Sequence, residues 1–293
     1  MKIVVIDSGN KYFKKKDIAI SKNNVIRNKT IVDSIGHGTM VNNILKNNIN
    51  SLKINIYNIN CFYDSLRPSV LDLKIALLEC EKINPNIIIC AWSFNTKKKI
   101  KIIEESLEKL YKSGVCIFCS ENNKLKNSYP FNSQFVYGVT SEKYGEDKFI
   151  IKDKVIYSDG LGVHTGNNNK VGYISGSSKA TSKTVNILLK EYFADEKSLL
   201  DILEDKPEHY DFNQKEDIDM NQYKKFKKIY IEYMRLTKPK HEMKMIPLLD
   251  FDKTCDIVKF SELAVERLNF KYEDLYIGMN SLKTMRDLYE SYR

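Results

Sequence analysis

The sequence predicts an α/β protein, a parallel sheet flanked by helices on both faces, followed by a small α-helical C-terminal region. Three observations lead there. Runs such as Ile3-Val4-Val5-Ile6, Ile87 to Phe94 and Val115 to Cys119 are apolar almost throughout and of strand length. Strands buried on both sides read this way, whereas a half-exposed strand would alternate. Helical patterns lie between these runs, one through Val70, Leu71, Leu73, Leu77 and Leu78 and another through Ile102, Ile103, Leu107 and Leu110. Finally, polar residues able to do chemistry stand where the elements end, and in such sheets ligands gather outside the carboxyl ends of the strands.

In chain order, residues 2–6 form the first strand, ending at Asp7-Ser8-Gly9. A polar stretch rich in lysine and asparagine follows. Ser34-Ile35-Gly36-His37-Gly38-Thr39 then leads into a helix over Met40–Lys46. Residues 53–61 alternate with period two and predict a strand. Pro68 opens the next helix and Pro85 closes it; Ile87–Phe94 is a strand; the helix after it stops at Gly114. Val115–Cys119 is another buried strand, ending at Ser120-Glu121-Asn122-Asn123, and residues 135–139 make one more. A strand-like run then ends at Ile174, small residues follow, and Val185, Ile187, Leu188, Leu189, Tyr192 and Phe193 continue as a helix.

After about residue 195 the texture changes. Residues 204–219 are acidic and polar, and helical patterns follow near 221–236 and 256–268, with a third from Ser281. The expected division is therefore a first domain over 1–195 and a helical C-terminal extension over 196–293, which could receive a partner protein. Asp274 to Leu282 is similar to the attachment site of carrier proteins, but too little chain follows for that fold, so Ser281 reads as a helix N-cap.

The formal charge of +9 is uneven: residues 1–195 carry 29 Lys/Arg against 18 Asp/Glu, and residues 196–293 carry 18 against 20. The lysines are scattered or lie on helix faces and no nucleic-acid module is recognisable, which points to a solvated basic surface and away from nucleic acid as a partner. No window has the length of apolar sequence needed to span a bilayer, and the start does not read as a signal peptide, so no membrane partner and a cytoplasmic location are expected. The cysteines agree, since most lie within apolar runs. Cys116 and Cys119 are spaced as CxxC, but residues three apart on a strand point to opposite faces, so they read as structural thiols. No run has calcium-ligand spacing, and no metal or cofactor is expected.

Serine-based nucleophilic catalysis needs a hydroxyl, an imidazole to take its proton, a carboxylate to hold the imidazole, and donors for the oxyanion. Asp7, His37, Ser178 and Asn122 supply these in small-residue settings at element ends. Read alone, the Ser177-Ser178 stretch also fits a plain N-cap, and His37 a structural histidine. The order Asp…His…Ser and the agreement of four sites favour the catalytic reading.

On these residues the chain resembles the subtilisin-like serine proteases. Val5-Ile6-Asp7-Ser8-Gly9 looks like their Asp motif, Gly36-His37-Gly38-Thr39-Met40-Val41 like their His motif, and Gly176-Ser177-Ser178-Lys179-Ala180 like the motif around their nucleophile. The resemblance covers about 1–195. It implies peptide-bond hydrolysis of a peptide or protein substrate, with Ser178 as nucleophile, His37 as general base and acid, and Asp7 orienting His37. It implies Asn122 and the Ser178 N–H as oxyanion donors, and Ala91, Trp92, Ser93 and Glu121 beside the substrate. Lys179 and Ser182 replace the family's usual Met and Pro, and Glu121 replaces a Gly at the floor of the primary specificity pocket. Glu121 is an acidic reader of a basic or amine-bearing side chain, a carboxylate turned to solvent, or one that merely narrows the pocket. The alternative function is a pseudoprotease that binds peptides without cleaving them.

Overall fold

A computed structural model describes residues 1–204 apart from 12–16, 28–32, 48, 50–52, 63–67, 96–99, 123–127, 143–148, 161, 168–169 and 196, and beyond them residues 277–278. The chain divides into two compact units, one of Met1–Gly160 with Ser175–Asp211, the other of Leu161–Ile174 with Phe212–Arg293.

The first unit is built on a nine-stranded sheet. Its strands are β1 (Lys2–Asp7), β2 (Ile18–Ser21), β3 (Asn24–Ile26), β4 (Asn55–Asn60), β5 (Ile87–Cys90), β7 (Cys116–Ser120), β9 (Tyr137–Glu142), β10 (Phe149–Lys152) and β11 (Val155–Asp159). The order is β10-β11-β9-β7-β5-β1-β4-β2-β3. All pairings are parallel except the edge hairpins β2–β3 and β10–β11. The helices are α1 (His37–Lys46), α2 (Val70–Ile83), α3 (Lys101–Lys112), α4 (Ser177–Asp195) and α5 (Leu199–Glu204).

Alternation sorts the buried strand residues between two faces. Val4, Ile6, Ile88, Cys90, Ile117 and Cys119 join Leu73, Leu77, Ile103 and Leu107 of α2 and α3 in one core cluster. On the other face α1 and α4 pack together, and α4 lies on β7, β9 and β11. The expected α/β architecture, helices on both faces, is what the chain forms. Local signals agree: Ser69 accepts the Asp72 N–H while Asp72 accepts the Ser69 N–H, a reciprocal capping box that starts α2.

Three differences from the sequence expectation have physical causes. The apolar run from Ile87 is not one strand. β5 stops at Cys90, and Phe94–Asn95 (β6) pairs antiparallel with Ser128–Tyr129 (β8) in a separate ribbon. Between them Trp92 leaves the sheet, its indole donating to Ile6 O at 2.9 Å with its ring against Phe94. Next, one edge hairpin lies in the stretch after β1 that reads as polar chain, and the other in 149–159, where no element is expected from the sequence. Their two-residue turns, Lys22-Asn23 and Asp153-Lys154, have positive φ at both positions, the geometry of a type I′ turn, without the glycine that signals one. Finally, α1 begins at His37, three residues before the apolar periodicity does.

In the second unit β12 (Val163–Asn167) pairs antiparallel with β13 (Lys170–Ile174) and with β14 (Ile277–Gly278). The helices expected near 221–236 and 256–268 and from Ser281, and Cys255, lie outside the described residues. Among the described residues no helix is long and apolar enough to cross a membrane. Cys116 and Cys119 are buried free thiols; burial pushes Cys116 up to about 11.

Candidate active site

The chain runs from β1 to the strands on its β4 side, whereas from β5 onward it builds the other side of the sheet, so a crevice opens between β1 and β5 at the carboxyl ends of the strands. A cleft of about 240 Å³ occupies that crevice. Asp7 and Ser8 line it from the end of β1, Phe62 from beyond β4, Ala91 and Trp92 from beyond β5, and Ile35 and His37 from the start of α1. Its walls are mostly apolar, and His37 is the imidazole among them.

His37 Nδ1 is 2.8 Å from Asp7 Oδ1 and 3.0 Å from Oδ2. Asp7 is buried, while 32 % of the His37 side chain stays exposed, so one ring nitrogen is fixed to the carboxylate in the interior. The attraction of Asp7 raises the His37 pKa above its ordinary 6.5; burial opposes this, and the hydrogen bond to Asp7 and the charge of Asp33 add to the rise.

The approach of α1 to β1 depends on two glycines. A Cβ on Gly38 would stand 2.2 Å from Gly9 O, and Gly9 itself has φ +99°. Gly38 N–H donates to Ser8 Oγ at 2.8 Å. Asp33, buried and not singled out from the sequence, accepts from the N–H groups of Gly36 (2.7 Å) and Thr39 (2.8 Å) and from the Thr39 hydroxyl (2.7 Å). It satisfies the N-terminal donors of the helix that begins at His37. An Asp four residues before His37 and a Thr two after it were the available signal.

Ser178 lies in the first turn of α4, just after Gly176 (φ 72°). Its hydroxyl donates to Ala91 O at 3.0 Å, so it is held by a residue that lines the His37 cleft. The turn is tied to the end of β7. Ser177 Oγ donates to Glu121 O at 2.6 Å, and Ser120 Oγ lies 2.8 Å from Thr181 Oγ1. The polar residues of α4 are buried because their hydroxyls bond back within the helix: Thr181 to Ser177 O at 2.7 Å, Ser182 to Ser178 O at 3.0 Å, Thr184 to Ala180 O at 2.9 Å. Lys179 is fully buried and paired with Asp159.

The remaining sequence candidates are spread around this turn. Glu121 is half-buried, its carboxylate accepting from the Thr140 hydroxyl, which makes it a held carboxylate and not one turned freely to solvent. Asn122 follows, its N–H donating to Ser128 Oγ at 2.6 Å. Ser93 is half-buried just before β6. Asp7, His37, Ala91 and Trp92 thus share one cleft, Ser178 is bonded to its wall, and Glu121, through its carbonyl, anchors the residue before Ser178.

Among protein-family models and curated proteins nothing matches this chain. Solved structures do. The prenylagaramide maturation protease PagA is 17 % identical with a TM-score of 0.51, over 67 % of this chain and 77 % of that one. A lanthipeptide protease is 14 % identical with a TM-score of 0.52, over 71 % of this chain and 76 % of its own. A cold adapted subtilisin-like serine proteinase is 14 % identical with a TM-score of 0.50, over 66 % of this chain and 76 % of its own. At these identities the likeness is one of fold, and the fold is the subtilisin-like α/β sheet.

Proposed function

We propose that the chain is a serine endopeptidase with Asp7, His37 and Ser178 as its triad and a peptide or protein as its substrate. The observation that carries this is the imidazole held by Asp7 in the crevice beside β1, with a helix-start serine bonded to the wall of the same cleft. The Ser178 hydroxyl donates to Ala91 O, and the reaction requires it to leave that acceptor and face the imidazole. Ser178 Oγ then attacks the scissile carbonyl while its proton passes to His37 Nε2. His37 returns that proton to the leaving amine, and water repeats the sequence in reverse to release the acyl group. The developing oxyanion accepts from the Ser178 N–H, at the positive end of α4, and from the Asn122 side chain.

The departures from the family motif do not argue against activity. Lys179 and Ser182 are both buried and bonded within the protein, away from solvent and substrate. Two structural neighbours are named as a maturation protease and a lanthipeptide protease, which supports a substrate class of precursor peptides. A fluorophosphonate probe should label the wild type and not Ser178→Ala. A wild type that never labels, yet binds peptides, would replace this reading with a non-cleaving peptide binder.

A further inference from the structure

Lys179 is the residue after the proposed nucleophile, and it is among the largest fully buried side chains of the described residues. Buried lysines are rare, because removing an ammonium from water costs several kcal/mol unless a partner and hydrogen bonds compensate. The partner is Asp159, 1 % exposed in its side chain, at the last position of β11. The adjoining residue, Gly160, accepts the Gly176 N–H through its carbonyl at 2.8 Å. Ser178 is thus bracketed: Gly176 before it and Lys179 after it are tied to two consecutive residues at the end of one strand. The opposite side of the turn is held by Glu121 O through Ser177.

We infer that the buried Lys179–Asp159 pair is a positioning device for Ser178, fixing the height and rotation of the first turn of α4. An apolar side chain would fill the same volume without direction. The ammonium is drawn to the Asp159 carboxylate, on a strand that is hydrogen-bonded into the sheet. Two groups depend on that turn, the Ser178 hydroxyl and the Ser178 N–H, and each has to meet a reacting centre within a fraction of an ångström. Displacements of about 1 Å at such centres cost roughly a hundredfold in rate. A pair serving fold stability alone has no such requirement, and exchanging a buried ion pair for apolar residues of similar size is often neutral or stabilising.

The inference rests on Ser178 being the nucleophile, and the test separates the two claims. Saturation labelling with a fluorophosphonate probe gives a maximal rate and an apparent affinity, measured alongside thermal melting, for the wild type, Ser178→Ala and the double variant Lys179→Met/Asp159→Leu. Labelling of the wild type but not of Ser178→Ala secures the nucleophile; a wild type that does not label overturns both claims. A double variant that melts cooperatively, keeps the probe affinity and loses at least about tenfold in maximal rate supports the positioning role. A folded double variant labelling within about twofold of wild type overturns it while leaving Ser178 in place. Should the double variant lack a cooperative melt, Asp159→Asn decides by the same rate. That variant keeps the side-chain volume and removes the charge that holds the Lys179 ammonium, so a folded Asp159→Asn that loses at least about tenfold in maximal rate supports the inference, and one labelling within about twofold of wild type overturns it.

Discussion

Of the residues in the cleft, His37 has the clearest chemical signature. Its pKa is raised chiefly by the charge of Asp7, while burial acts the other way. A general base works only when neutral, so a raised pKa moves the acid limb of activity upward. Probe labelling should fall as pH drops through a midpoint above 6.5. If Asp7, His37 and Ser178 act as proposed, Asp7→Asn should bring that midpoint down and lower the plateau by about four orders of magnitude, the scale of this change in Ser-His-Asp triads. The same pair contributes to stability. Because the folded pKa lies above the unfolded one, the contribution is complete below about pH 6.5 and is lost as pH rises through the folded value. Asp7→Asn should therefore lower Tm more at about pH 5 than at about pH 9; equal losses would mean that the histidine's charge is not what the carboxylate stabilises.

Placement of the site belongs to two helix starts, and each is fixed by a contact that leaves no slack. At α1, Gly38 backs onto the Gly9 backbone, where any side chain would collide with main-chain atoms that cannot move aside. Gly38→Ala should cost about 1–3 kcal/mol or more and separate His37 from Asp7. Melting and labelling measure the two effects, and an alanine variant with wild-type labelling would show that the approach of α1 to β1 is not needed. At α4, hydroxyls that would be solvated on a surface helix are returned to the helix's own carbonyls, and Asn186 Nδ2 donates to Leu45 O (3.0 Å) and Asn47 O (2.7 Å), serving the C-terminal end of α1. α4 therefore caps the C-terminal end of α1.

At the scale of the first unit, both faces of the sheet are packed with apolar side chains, and the polar ties of the Ser178 turn lie on only one of them. The face under α2 and α3 holds the apolar cluster that includes Val4, Ile88 and Ile117, while the face under α4 holds the polar ties of the nucleophile turn. Ile88, fully buried in the strand between β1 and β7, should cost about 2–5 kcal/mol when cut to alanine, read as a fall in Tm. Below the melt, labelling per folded molecule should stay at the wild-type rate. A slowed rate with unchanged Tm would show that this face also controls the site.

What could be read without coordinates were features written locally. Apolar runs of strand length mark β1, β5 and β7, 3.6-residue periodicity marks α2 and α3, and small-residue motifs mark Asp7, His37 and Ser178. These depend on neighbours a few positions apart, which is the range over which burial period and capping act. Three features depended on distant partners and so escaped. Trp92 ends β5 because its indole finds Ile6 O, 86 positions away. The hairpins turn on non-glycine residues with positive φ, held at the edges of the sheet. Lys179 stands out in sequence only as a departure from the family's usual Met, and only the folding of β11 beside α4 brings Asp159 to it in the interior. The kind of residue at each site was a matter of sequence. Which of them are buried, and against what, was decided by the tertiary structure, because burying a charge is tolerated only where a distant partner has already been placed.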